Sequence, residues 1–161
     1  MKWLSLLCFA TSSLLAQGDS TSSSVDTIDT HIVEINKLLT LADKQIGTPY
    51  KYGGCTPGGF DCSGFVKYCF EEALNMEMPH RSEDLGEMGT AVERQDAIPG
   101  DIVKFTGRSI DGQVGHVGIV YEVTNDAVYF IHSSSSNGIR VDKINSTYWQ
   151  ERFLGIRRIL D

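Results

Sequence analysis

The chain has 161 residues and a formal net charge of −7, which suits one domain with an appendage. The acidic balance excludes a protein that binds nucleic acid or an anionic membrane through a basic surface. Hydrophobic residues make up 41% of the composition, enough for a sizeable core.

Residues 1–16 have the pattern of a secretory signal peptide. Lys2 supplies a positive charge, an apolar stretch follows, and Ala16 is a small residue at the expected cleavage point. The segment is too short to span a bilayer as a mature helix. We therefore expect export to the periplasm or the cell wall, with no integral membrane segment in the mature chain. Lipidation at Cys8 is disfavoured, because the preceding Leu7 is not small.

A polar segment rich in serine and threonine, residues 17–29, predicts a linker between the signal peptide and the folded domain. Apolar residues of helical period then predict a first helix over residues 31–46. Gly47 and Pro49 are typical of the chain just beyond a helix end.

The segment Asp61-Cys62-Ser63-Gly64-Phe65 predicts the start of a second helix. Cys62 heads an apolar stripe of helical period, and Asp61 is a preferred N-cap residue. A thiol in the first helical turn faces unpaired N–H groups, so we expect a lowered pKa for Cys62. The alternative, a cysteine that only fills the core, is the better interpretation for Cys69.

The chain changes from helical to strand period after residue 97. Residues 75–97 are polar and predict a surface loop with one helical turn. The alternating pattern beyond them predicts about five strands, at residues 101–105, 116–122, 127–133, 139–142 and 155–160. Helices followed by strands indicate an α+β fold with a mostly antiparallel sheet.

Two histidines fall in one predicted hairpin. With the turn centred on Thr124, His116 lies directly opposite His132 on the neighbouring strand, on the same face of the sheet. A slip of one residue would break this pairing.

Cys62, His116 and His132 together match the needs of nucleophilic catalysis. A thiolate requires an imidazole partner, and that imidazole requires a third polar group to fix its tautomer. We therefore predict a thiolate–imidazolium pair of Cys62 and His116, oriented by His132, with a bell-shaped pH profile. The N–H of Cys62 and the hydroxyl of Tyr50 are candidates for stabilising an oxyanion.

The chain resembles the NlpC/p-60 family of secreted peptidoglycan endopeptidases, which are papain-like cysteine peptidases. The matching segments occur in the family's order and spacing: Gly47-Thr48-Pro49-Tyr50, Tyr52-Gly53-Gly54, Asp61-Cys62-Ser63-Gly64-Phe65-Val66, Pro99-Gly100-Asp101-Ile102-Val103 and Gly115-His116-Val117-Gly118-Ile119-Val120.

The resemblance implies a papain-like catalytic domain over residues 30–161. It implies Cys62 as nucleophile, His116 as base and His132 as the third polar residue, with Tyr50 as the family's tyrosine. Asp61 and Ser63 correspond to positions that line the substrate cleft, although Asp61 could equally serve only as the helix cap. The implied substrate is a peptidoglycan stem peptide, cut between the γ-carboxyl of D-glutamate and a diamino acid such as diaminopimelate. We expect a monomer with no metal or other cofactor.

Two other functions stay open at this point. A zinc hydrolase could use His116 and His132 as ligands, and a wall-binding module could keep the cleft without the chemistry. His80 is an additional residue in a segment that otherwise resembles a proline–arginine loop of the family, and we interpret it as a surface residue.

Overall fold

The structure, a computed structural model, describes residues 22–160. The predicted signal peptide, and residues 17–21 of the predicted linker, lie outside the described residues. No helix in the described part of the chain is long and apolar enough to cross a membrane.

The described part of the chain contains four α-helices, and most of the strands follow the first three. The helices are α1 (Ser22–Asp43), α2 (Cys62–Leu74), α3 (Ser82–Leu85) and α4 (Thr147–Arg152), with a 3₁₀ turn at Arg94–Asp96. The strands are β1 (Cys55–Thr56), β2 (Gly59–Phe60), β3 (Thr90–Val92), β4 (Ile102–Thr106), β5 (Val114–Val123), β6 (Val128–Ser134), β7 (Gly138–Lys143) and β8 (Phe153–Arg158).

The main sheet has six antiparallel strands in the order β3-β8-β4-β5-β6-β7, and β1 pairs with β2 in a separate small hairpin. The α+β prediction is confirmed, and all five predicted strands form. The sixth strand, β3, lies inside the predicted surface loop. Its residues are mostly exposed, so they lack the alternating apolar pattern that predicts a strand.

Each face of the sheet carries its own apolar cluster. Helices α1 and α2 pack on one face, where Leu38, Phe65 and Phe70 are fully buried against strand residues. On the opposite face, Phe105 and Phe130 pack beside Trp149 of α4. The catalytic candidates of the helices and those of the strands are therefore supported by separate clusters.

The first helix differs from its prediction at both ends. It begins at Ser22, inside the predicted linker, and ends at Asp43 before a turn that leads into Gly47. Extending an existing helix requires only propagation, so the polar residues that precede Thr30 can join it without an apolar face. Gly47 has φ +86°, a conformation outside the helix that glycine adopts readily.

Candidate active site

The nucleophile turn, which we define as residues 61–64, joins β2 to α2. Helix α2 begins at Cys62, as predicted, and Asp61 is its N-cap. Asp61 Oδ1 accepts hydrogen bonds from the Gly64 N–H at 2.6 Å and the Ser63 hydroxyl at 3.1 Å, and Oδ2 accepts from the Gly53 N–H at 2.9 Å. The carboxylate thus anchors both the helix start and the preceding loop.

The Cys62 thiol lies among polar groups. Its Sγ is 3.4 Å from Ser82 Oγ at the start of α3, and it is also hydrogen bonded by the backbone of Val117 and of Ser63. These bonds favour the thiolate. Burial outweighs them and raises the pKa of Cys62 above its ordinary value, with the Asp61 charge acting in the same direction.

The histidine relay, which we define as His116, His132 and Asp142, crosses three neighbouring strands. His116 Nε2 lies 2.9 Å from His132 Nδ1, and His132 Nε2 lies 3.0 Å from Asp142 Oδ2. Because a carboxylate only accepts, His132 donates from Nε2 and, when neutral, accepts at Nδ1. His116 must then carry its proton on Nε2, which leaves its Nδ1 free to accept one.

Both histidines are held in their neutral forms. Burial lowers the pKa of His116 to about 3, with a further contribution from His132, while Asp142 acts in the opposite direction. Burial likewise lowers the pKa of His132, whereas the hydrogen bond that His132 donates to Asp142 acts in the opposite direction. The expected thiolate–imidazolium pair is therefore not supported: the structure favours a neutral thiol and a neutral imidazole, which line the same cavity.

Aromatic packing holds the relay in place. The indole of Trp149 stacks on His116 with centroids 5.1 Å apart, and Trp149 Nε1 donates to Asp142 Oδ2 at 3.3 Å. Phe130 stacks on His132 at 4.7 Å. Contacts on both sides leave the imidazoles little freedom to rotate.

The predicted direct pairing of the two histidines is wrong. Ile119 pairs with Ile131, and a bulge follows between Val120 and Glu122. This register places His116 two residues away from direct opposition, on the same face, so the rings meet diagonally. Gly118 lies beside His132 instead, where a Cβ would come within 3.0 Å of the His132 Cβ.

Two clefts meet at the nucleophile. The histidine-side cleft is a cavity of about 740 Å³ whose lining includes Tyr50, Cys62, His116 and His132. The second, the turn-side cleft, has a volume of about 490 Å³, and its lining includes Tyr50, Asp61, Cys62, Ser63, His80 and Ser82. Cys62 and Tyr50 border both, so an extended ligand could cross the thiol from one cleft to the other.

Residues 47–158 match the sequence profile of the NlpC/P60 family. The chain belongs to the NlpC/P60 family.

Curated relatives of this NlpC/P60 chain include the probable endopeptidase NlpC of Escherichia coli K12, which is 40% identical over 70% of this chain and 70% of its own length. The murein DD-endopeptidase MepS/murein LD-carboxypeptidase of the same strain is 35% identical over 93% of this chain and 74% of its own. The γ-DL-glutamyl hydrolase of Bacillus subtilis is 39% identical over 73% of this chain, which spans only 27% of that relative.

The fold is shared with solved structures of the family. An NlpC/P60 family protein from Bacillus cereus superposes with a TM-score of 0.70 at 26% identity, covering 79% of this chain and 40% of that one. The papain-like assignment of the NlpC/P60 chain is therefore confirmed.

The structure brings all six predicted site residues to the two clefts, with Cys62 and Tyr50 in both. Sequence reasoning missed Asp142 and Ser82. Asp142 is in a predicted strand, two residues from Arg140, which lies opposite His132 on the neighbouring strand. A correct register for this strand pair would have placed Asp142 near His132. His80 is exposed, as predicted, yet its Nε2 lies 3.3 Å from Asp61 Oδ1 at the turn-side cleft.

Proposed function

We propose that this protein is a cysteine endopeptidase that hydrolyses peptidoglycan stem peptides, with Cys62 as nucleophile, His116 as base and His132 as the orienting residue. Its family comprises hydrolases, and the relatives above are named as endopeptidases or as a γ-DL-glutamyl hydrolase. The observation that carries the proposal is the histidine relay, whose hydrogen bonds leave a proton-accepting nitrogen on a ring that shares a cleft with the thiol.

The reaction starts from neutral groups. His116 Nδ1 accepts the thiol proton as Cys62 Sγ attacks the scissile carbonyl, and the imidazolium that forms is stabilised through His132 by the Asp142 carboxylate. His116 then donates this proton to the departing amine, and the acyl group remains on sulfur as a thioester. Water, deprotonated by His116, releases the acid and restores the thiol.

Two donors are available for the oxyanion. The Cys62 N–H lies in the first turn of α2, where backbone donors have no partner within the helix. The Tyr50 hydroxyl borders the same cleft. Burial, together with the nearby Cys62 and Asp61, raises the pKa of Tyr50, so the phenol keeps its proton and can donate.

The turn-side cleft suits the acyl half of the substrate. Asp61 and Ser63 line it, and Asp61 keeps a side chain that is 14% exposed despite its capping bonds. We assign Asp61 both roles left open by the sequence: it caps α2, and its carboxylate attracts the amine of the stem peptide. Ser63 assists by donating to Asp61.

The scissile bond that we favour joins the γ-carboxyl of D-glutamate to the diamino acid, which accords with the name of the Bacillus subtilis relative. A second candidate is a D-alanyl bond, because MepS aligns over 93% of this chain and is named as a DD-endopeptidase and LD-carboxypeptidase. We further propose that the protein acts as a monomer after export to the periplasm or cell wall.

Digestion of defined muropeptides by the protein, followed by mass spectrometry, tests both candidates. Fragments ending in D-glutamate support the γ-D-glutamyl bond, and fragments split after the diamino acid or D-alanine support the second candidate. Intact substrate at all times would overturn the peptidase proposal, and tight binding without turnover would support a wall-binding module.

Selective inhibitors separate a cysteine peptidase from a zinc hydrolase. We expect iodoacetamide to abolish hydrolysis and a strong chelator to leave it unchanged. The opposite result would favour metal chemistry through His116 and His132, whose ring nitrogens in the structure contact each other rather than a common point.

A further inference from the structure

The histidine-side cleft is basic although the chain as a whole is acidic. Its lining includes three arginines, Arg108, Arg140 and Arg152, against one carboxylate, Asp142. The net charge of the full chain is −7. A cleft lined by one sign of charge concentrates ligands of the opposite sign.

The arginines are not equally neutralised. Arg140 contacts Asp142 at 2.6 Å, so its charge is already paired. Arg152 has only a distant carboxylate, Glu151 at 3.7 Å, and donates to the Tyr148 carbonyl. Among the side chains of residues 30–160, none forms an ion pair with Arg108. Two guanidinium groups can therefore receive an anion.

Two buried donors in the same lining have no acceptor. The Thr106 hydroxyl belongs to a residue that is 3% exposed, and neither it nor the buried Nε of Arg152 finds a hydrogen-bond partner within the described part of the chain. Buried donors are rarely left unpaired, because their lost hydration is costly. A ligand that brought an acceptor atom into this lining would complete their hydrogen bonding.

The chemistry of proton transfer decides which half of a substrate enters this cleft. His116 must deliver a proton to the departing amine, so the leaving half lies on the side of the histidines. In a stem peptide cut before diaminopimelate, that half carries a free carboxylate on the diamino acid and another at the chain end. Both are the anions that arginine binds best.

We infer that Arg108, Arg152 and Thr106 form a carboxylate-binding subsite for the leaving half of the substrate. The inference rests on the proposed function and deepens it, since it predicts that the enzyme prefers stems whose diamino acid and terminal carboxylates are free. Amidation of these groups removes the charge and keeps the shape.

The test compares two substrates. One is L-Ala-γ-D-Glu-meso-diaminopimelyl-D-Ala, and the other carries amides in place of both carboxylates of the leaving half. We expect kcat/KM to favour the free acid by about tenfold, and Arg108→Gln to reduce that preference by about threefold or more. Arg94→Gln removes a positive charge outside both clefts, where Arg94 bonds to Asn145, and should keep the tenfold preference.

The outcomes separate the two proposals. If the wild type hydrolyses both substrates with equal kcat/KM, or if Arg108→Gln keeps the full preference, the subsite inference is overturned and the peptidase proposal stands. If neither substrate is hydrolysed, the peptidase proposal falls. Calorimetry with Cys62→Ala then tests the subsite alone: meso-diaminopimelyl-D-alanine must bind about tenfold more tightly than its diamide, and equal binding refutes the inference.

Discussion

The nucleophile turn and the histidine relay supply the reacting groups of one site, but they are built in different ways. In the turn, Asp61 bonds to groups two and three residues further along the chain. In the relay, the interacting side chains come from β5, β6 and β7, and the sequence separations are 16 and 10 residues. The turn therefore depends on local capping, whereas the relay depends on strand register.

This difference predicts how each region fails. Loss of the Asp61 cap weakens the start of one helix and lowers the free energy of unfolding, in addition to removing the amine contact proposed above. Loss of one relay member changes which nitrogen carries the proton and is felt mainly as rate. The changes below separate these two responses, beginning with the largest.

Replacement of the nucleophile removes the reaction without removing the fold. We expect Cys62→Ala to lower kcat by about 10⁴-fold or more, because no other group in the two clefts can form the thioester. Hydrolysis of muropeptides and circular dichroism measure the two effects. The matched control is Cys55→Ala, which changes a half-buried free cysteine in β1 and should keep wild-type rates. Substantial activity of Cys62→Ala would refute the assignment of the nucleophile.

Asp142→Asn tests the relay through its positioning residue. An amide can donate to His132 Nε2, which reverses the tautomers of both rings and places a proton on His116 Nδ1. We expect kcat to fall by about 100-fold with little change in KM. Asp142→Glu, which keeps an acceptor, should recover part of the rate. Equal losses in both variants would indicate a structural role instead.

Substitution of the capping residue Asp61 in the nucleophile turn should lower the stability of the protein. Asp61→Ala removes the acceptor of the Gly64 and Gly53 N–H groups, and we expect it to lower the free energy of unfolding by about 1–2 kcal/mol. Asp61→Asn retains a side-chain oxygen and should cost less than half as much. Urea denaturation measures both. An Asp61→Ala protein as stable as the wild type would show that the cap contributes nothing.

The smallest expected effect concerns pH. His116 acts as a base only when neutral, and its pKa is lowered to about 3, so activity is lost only as the pH falls towards that value. The raised pKa of Cys62 keeps the thiol neutral through the same range. We expect log kcat/KM to be nearly flat between about pH 5 and pH 8. An acid limb near pH 6.5, the value of an unperturbed histidine, would contradict this expectation.

The sequence predicted the turn well because its signals are local. Asp61, Cys62 and the stripe that follows define a helix start without reference to the rest of the chain. The proximity of His116 and His132 was predicted, but their exact pairing was not, because the bulge before Glu122 follows from the packing of the sheet. Ser82 contacts Cys62 although the two residues are 20 positions apart in the sequence. No periodic pattern in the sequence predicts such a contact.

The predicted lowering of the Cys62 pKa was wrong, because it too depends on contacts between distant parts of the chain. A helix start favours the thiolate, and that signal is visible in the sequence. Burial opposes it, and burial depends on how α3 and β5 enclose the sulfur. Only the folded structure shows which influence is larger.

The indole of Trp149 gives the enzyme a built-in optical reporter. The sequence has two tryptophans, and the other, Trp3, lies in the predicted signal peptide. Emission from the processed protein would therefore come from one ring, stacked on His116 and bonded to Asp142. Charging that imidazole, or filling the cavity beside it, alters the ring's surroundings, so proton transfer and substrate entry could be followed by fluorescence without attaching a dye.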